Sequence, residues 1–131
     1  MSSIATKRVA IVDDSAVVLK TVRHVLTRAG FEVVTMDEPR QRPLLDGGTI
    51  DLILVDVNMP QVYGDDLPSF FRDAWGISAP TYLYSDLDEN ELSHRAERAG
   101  ATGYICKAWG PDELVRRVKQ LLADAPGEPA A

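Results

Sequence analysis

Cysteine is nearly absent. Cys106 is the single one in 131 residues, so no internal disulfide can form, and no spaced Cys or His accompanies it as a structural zinc would require. Its place in an apolar run reads as core packing. No stretch approaches the roughly 18 apolar residues of a membrane span, and Met1 to Thr6 has no apolar core of the kind a signal peptide carries. A cytoplasmic address away from membranes is the expectation. Basic charge is also short: 14 Lys and Arg stand against 20 Asp and Glu, a formal charge of −6 that repels nucleic acid phosphates on average. Direct nucleic acid binding is not expected.

What is present is ordinary globular usage, 45% hydrophobic and 26% charged, at a length that suits one domain. Short β-branched runs alternate about five times with segments of helical period, which argues for an α/β fold of parallel strands and crossover helices. Val9 to Val12, Phe31 to Met36, Leu52 to Val55, Thr81 to Tyr84 and Gly103 to Cys106 read as the strands. The third lacks the polar alternation of a half-exposed sheet, so it is expected at the centre, covered on both faces. Val18, Leu19, Val22, Val25 and Leu26 give the first helix one apolar face, and Gly30 supplies its stop. Pro43 and Gly47-Gly48 predict a short or distorted second helix. In the third, Asp65 or Asp66 caps, and Leu67, Phe70, Phe71 and Ala74 share a face. The fourth, Asp88 to Ala99, offers only Leu92, Ala96 and Ala99 inward, a thin stripe that predicts weak anchorage. The fifth starts at Pro111 and docks through Leu114, Val115, Val118, Leu121 and Leu122. Residues 1–6 are expected to be a leader, 7–123 the folded domain, and 124–131, small and Pro-rich, a disordered tail or the start of a linker.

Ligands of open parallel sheets bind beyond the carboxyl ends of the strands. Here the first strand runs into Asp13-Asp14, the third into Asp56, the fourth into Ser85 and the fifth into Lys107. Each alone reads as a turn former or helix cap, as Asp14 and Ser15 do before the first helix. Together, three carboxylates at one sheet end repel one another unless a cation intervenes, and magnesium, which takes oxygen ligands, is the natural one. A carboxylate can also attack phosphorus to give an aspartyl phosphate, a step that needs positive charge on the equatorial oxygens more than it needs a base. Lys107 and the metal supply that charge, and Ser85 adds a hydroxyl donor.

Four blocks carry a resemblance: Val12-Asp13-Asp14-Ser15; Asp56-Val57-Asn58-Met59-Pro60 with Gly64; Ser85 after its strand; and Gly100 through Lys107. In this order and spacing, over residues 7–123, the chain resembles the receiver domain of bacterial response regulators. The resemblance implies a flavodoxin-like, doubly wound five-stranded sheet of order 2-1-3-4-5 with about five helices. It implies that Asp56 accepts a phosphoryl group, that Asp14 ligates magnesium directly and Asp13 through water, and that the Asn58 carbonyl completes the protein ligands. Lys107 then pairs with the phosphate, and Ser85 with Tyr104 forms the switch couple. The phosphoryl donor is a histidine kinase or histidine phosphotransfer protein. Output is expected through a downstream protein on the face of the fourth helix, fifth strand and fifth helix, since no effector segment follows residue 123 unless the chain was cut from a longer one.

Two positions depart from the family pattern. Ala108 stands where a proline usually follows the lysine, so a trans bond is expected there. Asp86 stands where a small residue usually follows the switch hydroxyl, adding a carboxylate at the pocket mouth. These departures support an alternative, a non-phosphorylated receiver kept as a protein-interaction module. Two other classes are excluded by charge and spacing. A flavodoxin needs a hydroxyl-rich phosphate loop where Asp13 and Asp14 stand, and a haloacid-dehalogenase-type phosphatase needs an Asp-x-Asp after its first strand. His24 and His94 read as solvated.

Overall fold

The computed structural model describes residues 7–37, 50–57 and 79–123. Five parallel strands, β1 (Arg8–Val12), β2 (Glu32–Met36), β3 (Leu52–Val55), β4 (Thr81–Ser85) and β5 (Gly103–Cys106), form one sheet in the order β2-β1-β3-β4-β5. Three α-helices are described: α1 (Ala16–Arg28), α2 (Glu89–Ala99) and α3 (Pro111–Ala123), with a short 3-10 turn at Lys107–Trp109. They correspond to the first, fourth and fifth helices of the sequence reading. The second and third helices, the leader and the tail lie outside the described residues.

All four β3 residues are buried, which is the physical reason their run carries no polar alternation. Alternation along the strands divides the core between the two faces of the sheet. Ala10, Val12, Ile53, Val55 and Leu83 face Leu92 and Ala96 of α2, while Val9, Ile11, Leu52, Leu54 and Tyr84 face Val22 and Leu26 of α1 and Leu114 and Val118 of α3. α2 buries only Leu92 and Ala96, against three residues in α3. At about 1.5–3 kcal/mol for each large side chain removed from water, α2 is the more weakly held of the two.

Element ends have identifiable causes. The Val18 N–H donates to Ser15 Oγ (3.2 Å) at the start of α1, and the Glu91 N–H donates to Asp88 Oδ1 (3.0 Å) at the start of α2. Asp88 is therefore the cap of α2 and not its first residue. α2 closes at Gly100, φ +72°, with the Ala101 N–H returning to the Ala96 carbonyl, a left-handed ending that glycine adopts without strain. Phe31 falls outside β2 because its N–H donates to the Leu26 carbonyl at the end of α1. Arg8 joins β1 instead, paired with Glu32 by backbone register and through its Nε to Glu32 Oε2. At Gly103 a β-carbon would lie 2.6 Å from Tyr82 Cε2, so the cross-strand pair of Tyr82 and Gly103 leaves no room for a side chain.

Candidate functional site at the carboxyl edge of the sheet

The sheet fixes the backbone of the acidic residues one step beyond the strands. The Asp13 N–H donates to the Met36 carbonyl (3.0 Å), and the Asp56 N–H donates to the Val12 carbonyl (2.9 Å). Asp13 is fully buried and Asp56 is 4% exposed. Burying carboxylates is costly unless they are paired, and the pairing here is explicit. Asp13 Oδ1 accepts from the Ser15 N–H (2.9 Å), and Oδ2 accepts from Lys107 Nζ (2.8 Å). The same ammonium lies 3.9 Å from Asp56 Oδ2. Asp14 is exposed, yet Asp13, Asp14 and Asp56 each offer an oxygen within 4.8 Å of the others. Three hard oxygen donors so grouped suit magnesium, which keeps several waters and needs only one or two carboxylates from protein.

Lys107 arrives from β5, which is separated from β1 by β3 and β4. Its backbone opens the 3-10 turn, where the Gly110 N–H donates to the Lys107 carbonyl (3.1 Å). No cis peptide bond occurs among the described residues, so the bond to Ala108 is trans as expected. Ser85, fully buried at the end of β4, accepts from the Leu87 N–H (3.3 Å), which turns the chain outward. Asp86 is exposed at that turn. Tyr104 lies on β5, farther from the edge; its hydroxyl donates to Glu89 Oε2 (2.8 Å) on α2, a bond that raises its pKa. The Tyr104 and Trp109 rings are tilted at 46° with centroids 6.2 Å apart, and the Arg117 guanidinium lies 4.2 Å from the Trp109 centroid. Asn58 lies outside the described residues.

Sequence reasoning passed over two participants. Glu89 holds Tyr104, and its place in the first turn of a helix gave no hint of that. Tyr84 is 7% exposed, with its ring centroid 5.6 Å from Lys107 Nζ. Burial, and then the negative charge of Asp13, push its phenol up to about 12. Strand alternation was the available signal, since Tyr84 precedes Ser85 and must face the opposite side of the sheet.

Comparison with known proteins identifies the family. The family described as the response regulator receiver domain matches residues 9–119, and the chain belongs to it. Its members are signalling switches of two-component systems. Protein RcaC of Microchaete diplosiphon is 32% identical over 117 residues, 88% of this chain and 18% of that protein. The cell cycle transcriptional regulator CtrA of Caulobacter vibrioides is 29% identical over 123 residues, 92% of this chain and 52% of that one. The chain thus spans about half, or less, of these relatives. Among solved structures, the chemotaxis protein CheY4 of Vibrio cholerae superposes with a TM-score of 0.79 at 28% identity, covering 89% of this chain and 99% of that one.

Proposed function

We propose that residues 7–123 form a phosphorylation-dependent receiver in which Asp56 takes a phosphoryl group from a histidine kinase or histidine phosphotransfer protein. The observation that carries this reading is the grouping of three carboxylates within 4.8 Å with the Lys107 ammonium among them. One Asp56 oxygen attacks phosphorus as the bond to the donor breaks, and the leaving group departs with that electron pair. Asp13, Asp14, Asp56 and the Asn58 carbonyl are the residues that would hold magnesium. Bound there, the ion supplies positive charge for the phosphoryl oxygens. Lys107 contributes a second cation, already poised beside Asp56, and the Ser85 hydroxyl donates to the phosphoryl group once it is attached. Burial of Asp56 slows the approach of water to the acyl phosphate without barring it. The chain catalyses only its own phosphorylation and dephosphorylation.

Output follows from Ser85 and Tyr104 acting as the switch couple, with Tyr104 leaving Glu89 when Ser85 is drawn to the phosphoryl group. The surface of α2, β5 and α3 then meets a downstream protein in the cytoplasm. No described helix is long and apolar enough to cross a membrane. Intact-mass measurement after incubation with acetyl phosphate and magnesium tests the proposal: wild type gains one phosphoryl group and Asp56→Asn gains none. An asparagine variant that gains an equally stable group refutes the acceptor. A wild type that takes no group, and whose amide spectrum ignores beryllofluoride, is an interaction module without phosphorylation.

A further inference from the structure

The family's usual proline after the lysine is absent here, and the 3-10 turn fixes the Lys107 backbone but not the torsions of its four-carbon side chain. The geometry points to Tyr84 as a positioning residue: its buried ring is the platform that steers the Lys107 ammonium toward Asp13 and Asp56. The role in phosphorylation rests on the function proposed above, whereas the role in placing Lys107 does not.

Three observations converge. Tyr84 is paired with Ile105 in the sheet, both side chains lie on the face covered by α1 and α3, and Lys107 follows two residues later at the start of the 3-10 turn. Nζ is 5.6 Å from the ring centroid, inside the roughly 6 Å range in which an aromatic face attracts a cation. The two carboxylates approach the same nitrogen at 2.8 and 3.9 Å, so ring and acids together define where the ammonium sits. Tyr84 and Lys107 also line one crevice together with Val18, Val22 and Leu114, so the lysine stem and the ring share an apolar wall. The ring is 7% exposed in the sheet face, and it offers the ammonium a flat, electron-rich surface that no aliphatic side chain has.

The rival explanation is that Tyr84 is only core packing. Leucine or methionine at the position would then serve as well as an aromatic ring. The proposal expects otherwise, and Tyr84→Phe, Tyr84→Leu and Tyr84→Met separate the two. Carbon-13 relaxation of the magnesium-free protein reads the mobility of the Lys107 ε-methylene. It should be restrained in wild type and Tyr84→Phe, and both aliphatic variants should gain the mobility of an unguided lysine while keeping the far-UV circular dichroism of the fold. Acetyl phosphate labelling of Asp56 should remain within about twofold of wild type in Tyr84→Phe and fall about tenfold in the aliphatic variants. An ε-methylene as restrained as in wild type, in whichever aliphatic variant folds, overturns the platform, as does wild-type labelling speed in that variant. If wild type itself takes no phosphoryl group, the function proposed above fails while the NMR comparison still decides the role of Tyr84.

Discussion

Replacing Lys107 with methionine removes the ammonium from the acidic cluster while keeping an unbranched stem of similar reach. Nζ lies 2.8 Å from one Asp13 oxygen and 3.9 Å from one Asp56 oxygen. At an effective dielectric constant of about 20, the gross attraction is about 6 kcal/mol to Asp13 and about 4 kcal/mol to Asp56. Desolvation of all three groups offsets most of this, and truncating one member of a buried pair costs about 3–5 kcal/mol in practice. The 18% exposure of the Lys107 side chain favours the lower end, about 3 kcal/mol. For a domain of this size, Tm in EDTA should fall by about 10 °C. The informative comparison is with magnesium. Loss of a positive charge inside the cluster should tighten magnesium binding about tenfold, which adds about 1.4 kcal/mol to the stabilisation at saturating ion, or about 4 °C. Paired thermal melts of wild type and Lys107→Met, in EDTA and in magnesium, provide the measurement. The reasoning is refuted if magnesium raises the Tm of the variant no more than that of wild type.

Asp86→Ala should accelerate acetyl phosphate labelling of Asp56 a few-fold at low ionic strength and less at high, because an exposed carboxylate repels the donor by about 1 kcal/mol or less. Equal rates in both salts would show that it does not gate the site. Gly103→Ala, whose β-carbon meets the Tyr82 ring at 2.6 Å, should destabilise the fold by about 1–3 kcal/mol in urea denaturation, and the double variant with Tyr82→Ala should recover part of that loss. Glu113 accepts from Arg116 and Arg117, which hold its carboxyl at about 2, below the range it has in an unfolded chain. Its stabilising contribution is therefore complete above about pH 5 and fades as the pH falls toward 2. The Tm difference between wild type and Glu113→Gln should narrow across that window, and a difference independent of pH would contradict the assignment.

Strand positions were legible wherever an apolar run met a polar residue whose chemistry ends a strand. Leu52–Val55 before Asp56 and Gly103–Cys106 before Lys107 were placed to the residue. β1, β2 and β4 differ by one position because backbone pairing, not hydropathy, decides whether Arg8, Phe31 or Ser85 joins the sheet. The order of the strands came from resemblance, since periodicity gives faces but not neighbours. Asp13, Asp14, Asp56 and Lys107 could be listed from strand ends alone because every parallel strand delivers its last residue to the same edge. Their distances could not. The turn at Lys107–Trp109 is too short to have a period, and the seat of Tyr84 beside Lys107 depends on the register between β4 and β5. The readings of Asn58 and of the second and third helices fall outside the described residues.

The hydrogen bond between Lys107 and Asp13 joins groups 94 positions apart in the chain. Closing a flexible loop of that length costs about 4 kcal/mol of chain entropy beyond a constant, so a partly ordered chain gains nothing by forming it early. Lys107 reaches Asp13 across the ends of β3 and β4, and both strands must already be seated. The bond is therefore a consequence of the assembled sheet and not a seed for it. A chain that has paired β1 with β3 but not yet β4 with β5 has its acids and no ammonium between them. The charge balance of the acidic pocket thus belongs to the whole sheet and to no single strand.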